Sequence, residues 1–113
     1  MEVFHHHLYE YKKGLRNLIL HTAKINQKEL IEKRLHDKNI PYVIYKVNKD
    51  KINVFFGNKY CINIIEQIGK SSLTDYTDEE DFILGIMLGY NRLEQCKRYM
   101  KRKLSTDEVE SLV

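Results

Sequence analysis

The residues most capable of chemistry stand together near the start of the chain. FHHHLYEYKKGLR, residues 4 to 16, places three consecutive histidines beside Tyr9, Glu10, Tyr11 and Arg16. A zinc site needs three or four donors converging at about 2 Å from one point. Consecutive residues on one helix or strand point in different directions and do not converge. His5 and His7 share a face only on a strand, which makes them the metal candidates. His21, His36, Cys61 and Cys96 are the other soft donors, and no spacing ties them to the first two. The second chemistry is recognition. His6, His7, Tyr9, Tyr11 and Arg16 combine flat apolar area with polar tips, as contact surfaces do. Arg16 suits a carboxylate or phosphate, and the tyrosines suit a flat ring or a protein surface. The plainer alternative is an amphipathic helix whose histidines bond to the neighbouring Tyr and Glu. Recognition and packing both stay open at this level.

Elsewhere the catalytic vocabulary is thin. The chain has no phosphate-cradling glycine loop, no G-x-S-x-G and no H-E-x-x-H. Cys61 and Cys96 fall on apolar seams, where an inert buried thiol is expected. An enzyme is therefore not the expected class. Gly85-Ile86-Met87-Leu88-Gly89 matches GxxxG. Two glycines inside a helix cost about 1 kcal/mol each relative to alanine, a loss that close approach of another helix would offset. The basic run KRYMKRK, residues 97 to 103, resembles a phosphate-tracking patch. Helix C-termini attract cations in any case, and Asp107, Glu108 and Glu110 follow, so nucleic-acid binding is not expected.

These groups must be positioned by a chain of 113 residues, long enough for one domain over 1–113 and one modest core. It is 42% hydrophobic and 31% charged with a net charge of +3, the balance of a globular protein that is only mildly basic. The first residues carry histidines and charges where the apolar core of a signal peptide would sit. No apolar run approaches the roughly 18 residues of a membrane span. Neither cysteine has metal or redox spacing. A cytoplasmic protein with reduced thiols is expected.

Phe4, Leu8 and Tyr11 recur at helical spacing, and Gly14 follows a Lys-Lys pair. A helix over Glu2–Lys13 is predicted. The rival is a strand, since Val3, His5, His7, Tyr9 and Tyr11 alternate. Arg16–Thr22 reads as a first strand. A helix over Gln27–Lys38 follows, with Asn26 and Glu29 as a capping pair and Asn39-Ile40-Pro41 as its end. YVIYKV and INVFF, around Asn48-Lys49-Asp50-Lys51, read as a hairpin. Gly57-Asn58 opens a further helix with Cys61, Ile64, Ile65 and Ile68 on one face and Gly69 at its end. Lys70–Tyr76 reads as a loop. Thr77 to Glu80 is a capping box that opens the longest element, Asp78 to about Lys103. Its seam runs Phe82, Ile86, Gly89, Leu93, Cys96, Met100. Acidic residues fill its first turn and basic residues its last, complementing the helix dipole.

The order α-β-α-β-β-α-α predicts an α+β fold. A β-α-β-β core would make a small three-stranded mixed sheet, with a right-handed crossover and a hairpin. Helices would pack on one face, with the long C-terminal helix beside them. That helix has more apolar surface than one seam uses. Ile83, Met87, Tyr90 and Leu93 are the candidate partner face, and a homodimer is the simplest way to cover it.

The segments VFHHHLYEYKKGLRNLILHT, YVIYKVNKDKINVFFGN and DEEDFILGIMLGYNRLEQCKRY resemble, over nearly the whole chain, a small bacterial family. It is known as a domain of unknown function, number twenty twenty-three in its series. The resemblance implies a single α+β domain that forms homodimers, with flavodoxins as candidate partners. It implies no activity, cofactor or catalytic residue. The functional expectation is a homodimeric accessory protein that binds another, acidic protein. The alternative is a metal- or small-ligand-binding module centred on His5, His6, His7 and Tyr9.

Overall fold

A computed structural model of the chain describes residues 1–104. The acidic residues Asp107, Glu108 and Glu110 lie outside that range. The first helix, α1 (Glu2–Lys12), buries Phe4 and Leu8 against the sheet, which settles helix over strand. Strand β1 (Leu18–Lys24) leads through a short 3-10 turn into α2 (Lys28–Asp37). Asn26 lies within that turn and caps nothing. The N-cap is Gln27, which makes no side-chain capping bond.

Strands β2 (Tyr42–Lys46) and β3 (Lys51–Gly57) form the hairpin. Its turn is held by Asn48 Oδ1, which accepts from the backbone N–H of Asp50 at 2.8 Å and of Lys51 at 2.9 Å. The sheet order is β1-β3-β2, and both pairings are antiparallel. This corrects the predicted mixed sheet. The crossover does join two strands of the same direction, but β3 is inserted between them. The reason lies in β3 itself. Residues 52 to 57 are all buried, so the strand presents apolar side chains to both faces. Such a strand belongs in the centre, with two neighbours, leaving β1 and β2 at the edges.

Helices cover both faces of the sheet, not one. On the first, Phe4 and Leu8 of α1 and Ile31 and Leu35 of α2 pack on Ile19, Val54 and Phe56. On the second, α3 (Lys59–Ile68) and the next helix pack Ile62, Ile65, Leu84 and Leu88 on Leu18 and Phe55. The inward face of α3 is Ile62 and Ile65, while Ile64 is exposed. Asn58 caps α3, its Oδ1 accepting from the Tyr60 N–H at 2.8 Å.

The long C-terminal helix does not exist as one element. It is divided into α4 (Asp78–Met87) and α5 (Arg92–Lys103). The Thr77 capping box opens α4 as predicted, with both reciprocal bonds made. Gly89, at φ +82°, closes it. The N–H of Gly89 bonds back to Ile86 O at 3.0 Å and that of Tyr90 to Gly85 O at 3.2 Å. This pair of bonds is a Schellman stop. Asn91 then caps α5, accepting from the Glu94 N–H at 3.0 Å.

The chain thereby reverses, and α5 lies antiparallel on α4. Acidic first turn and basic last turn, predicted at opposite ends of one rod, meet. Arg98 Nε donates to Asp81 Oδ2 at 2.8 Å, Arg102 Nε lies 2.8 Å from Asp78 Oδ1, and Lys103 Nζ lies 2.9 Å from Glu79 Oε1. The two glycines of GxxxG serve different ends. A Cβ at Gly85 would collide with the Gln95 side chain of α5, whereas Gly89 supplies the left-handed turn residue.

Candidate functional site

The N-terminal cluster is organised by Glu10, the acidic neighbour of the histidines. On α1, Glu10 stands one turn beyond His6 and His7. Its Oε1 lies 3.4 Å from His6 Nε2, 3.7 Å from His7 Nδ1 and 3.9 Å from Arg16 Nη1. The contact with His7 is too long for a hydrogen bond, and His7 Nδ1 is buried without a partner. Arg16 Nη2 donates to Leu88 O at 3.3 Å. Arg16 therefore ties the start of β1 to the C-terminal end of α4.

The remaining candidates separate. Tyr9 is exposed and sits under the Lys13 ammonium, 5.5 Å from its ring centre. Tyr11 turns inward and meets Phe56 edge-on at 6.2 Å. It is a packing residue, not a surface one. His5 and His7 do not share a face on a helix. Among the described residues, no three His, Cys, Asp or Glu side chains are grouped to hold a metal.

His21 was left unassigned by the spacing and proves to be the second centre of the cluster. It is buried on β1 between Phe4, at 5.5 Å, and His7, at 5.4 Å in an edge-on contact. Burial pushes the His7 imidazole below its ordinary range, and the Arg16 charge lowers it further, outweighing Glu10. Burial also lowers His21, followed by the charges of His7 and the N-terminal amine. The corner thus holds two imidazoles whose charged forms are disfavoured, edge-on to each other, with His21 also tilted against the Phe4 ring.

The other candidate surface is the α4–α5 hairpin. Ile83, Tyr90 and Leu93 are exposed, and Met87 is half-buried against the second core. Phe82, Ile83, Cys96, Tyr99 and Met100 line an apolar groove of about 460 Å³ between the helices. Phe82 and Tyr99 meet across it at 5.5 Å. Cys96 is exposed in this groove, not buried in a seam, while Cys61 is half-buried and burial pushes its thiol up. Three cations of the basic run, Arg98, Arg102 and Lys103, are already paired with α4 carboxylates.

Fold and surfaces together define a small α+β protein with a two-sided core and a projecting helical hairpin. Residues 2–102 match the family model of DUF2023, a protein of unknown function, and the chain belongs to that family. A search of curated proteins finds no match. No helix among the described residues is long and apolar enough to cross a membrane.

Proposed function

We propose that the protein is a homodimeric accessory module that works by binding another protein, with the α4–α5 hairpin as its self-association face. The observation that carries this reading is α5, an amphipathic helix of 12 residues with no buried residue. Its main packing partner among the described residues is α4. Ile83, which lines the groove, is 41% exposed, and Leu93, one turn before Cys96, is 62% exposed. Two antiparallel helices with an uncovered apolar groove are half of a four-helix bundle, and a two-fold axis supplies the other half. Dimerisation would leave the outer surface of α1, with His6, Tyr9 and Lys13, free for a partner. A net charge of +3 favours an acidic one, and a flavodoxin is the candidate. Free thiols at Cys61 and Cys96 fit a reducing compartment, so the cytoplasm is part of the proposal.

Sedimentation equilibrium of the full chain tests the reading. A dimer is expected, and Ile83→Glu with Leu93→Glu should convert it to a monomer of unchanged circular dichroism. A wild-type monomer at every accessible concentration would remove it. In a second arm, titration with a purified flavodoxin should give salt-sensitive binding to the dimer.

A further inference from the structure

A cleft of about 740 Å³ opens where the first turn of α1 meets the end of β1. His7, His21, Thr22, Lys24, Gln27 and Lys51 are among its lining residues; His21 is buried, and Thr22, Lys24 and Lys51 are exposed at what we take as its mouth. Lys24 and Lys51 are direct cross-strand partners at the last register position of β1 and β3. Like charges facing each other across a ladder destabilise it. Among the described residues, neither lysine takes part in an ion pair within 4.0 Å. Strand alternation sends both lysines off the face opposite to His21. The strand ends at Lys24, however, and the cleft wraps that open edge so that both reach it.

Three further features give the cleft one preference of charge. Glu2 is the one carboxylate among its lining residues. The first helical bond of α1 runs from His5 N–H to Met1 O, so the N–H groups of the preceding residues have no helical partner. These groups and the positive end of the helix dipole belong to the segment that lines the cleft. Thr22 Oγ1 donates its proton to Asn53 Oδ1 at 2.7 Å, leaving lone pairs but no donor for the cleft, so the lysines must supply the charge.

We propose that this cleft binds a small phosphate monoester, its phosphoryl group at the Lys24–Lys51 mouth and its organic part directed inward toward His7 and His21. The proposal is independent of the protein-binding reading. It differs from a metal site in needing cations, not converging ligands. An anion in the mouth relieves the lysine repulsion, and two strongly hydrated ammonium groups suit phosphate as point charges. The field of the anion also favours protonation of the histidines, so proton and ligand bind together. The groups that oppose or assist this are Glu10, Arg16 and His6 around His7, and the N-terminal amine beside His21.

The test is a titration of the isotopically labelled full chain with inorganic phosphate and with ribose 5-phosphate at constant ionic strength, read by amide and imidazole resonances. Saturable shifts confined to residues 21–24, Lys51 and His7 are expected, with the sugar phosphate binding more tightly than phosphate alone. Lys24→Gln with Lys51→Gln should weaken binding about tenfold, while Lys49→Gln, outside the cleft, should not. The double variant removes a repulsion, so its thermal midpoint without ligand should equal or exceed that of the wild type. Sulfate, which does not titrate near neutrality, should bind more tightly as pH falls below about 6.5. Non-saturating shifts, equal binding by the double variant, or phosphate binding without any gain from the sugar would overturn the proposal.

Discussion

The sheet and the α4–α5 hairpin are held together by different physics. In the sheet, Phe4, Leu18, Ile19, Val54 and Phe56 have no solvent exposure at all, and both faces are closed by helices. The hairpin has Leu84 and Leu88 as its anchors, and beyond them relies on carboxylate–guanidinium pairs and one shallow groove. The sheet has its core closed on both faces. The hairpin has Asp78, Glu79 and Asp81 paired with α5 cations and an apolar groove left uncovered. That contrast is what motivates the proposed association face, because charge pairing fixes the geometry of the hairpin without covering it.

The largest effect is expected in the sheet. Phe56→Ala removes a fully buried ring from the central strand and should cost about 3–5 kcal/mol, measured by chemical denaturation. A smaller, local effect is expected in the hairpin. Gly89→Ala forces a side chain into the left-handed region and should cost about 1–2 kcal/mol. Its signature is faster amide exchange in α5 with the sheet unaffected.

Acid should separate the two regions. His7 and His21 are held below the ordinary histidine value, so the unfolded chain takes up protons more readily than the folded one. Their contribution is complete above about 6.5 and drains away as pH falls through the lower folded values. Hydrogen bonding to Arg98 holds Asp81 below its ordinary value. Its contribution is present above the usual carboxylate range and is lost only as pH falls further, through the lower folded value. Thermal midpoints should therefore fall in two stages, the first at the α1–β1 corner. Replacing His7 and His21 by Gln should remove the first stage alone. The smallest effect is expected at Tyr76, whose buried hydroxyl has no partner. Tyr76→Phe should leave stability unchanged or raise it by about 1 kcal/mol, read from the same denaturation curves.

Most elements were legible because their signals are local. The Asn48–Lys51 turn, the Asn58 cap, the Thr77 capping box and the α1 apolar stripe each depend on residues within a turn of one another. The failure at α4–α5 is instructive, since its signals were also local. Gly89 followed by Asn91 and Glu94 is a stop and a restart, but the heptad spacing across it favoured one continuous rod. Sheet order was readable only from the two-sided burial of β3, which INVFF suggests and the crossover length does not. At the cluster, His6, His7 and Arg16 gather about Glu10, while Tyr11 packs edge-on against Phe56. The meeting of His21 with His7 depends on how α1 packs on β1, and that of Lys24 with Lys51 on the β1–β3 register, long-range facts with no local trace.

Hydrogen exchange of the full chain at low and high protein concentration decides whether the hairpin is the association face. Peptides from residues 78–103 should gain protection as concentration rises, with the sheet unchanged. Concentration-dependent protection along α1 or a sheet edge, with none in the hairpin, would contradict it.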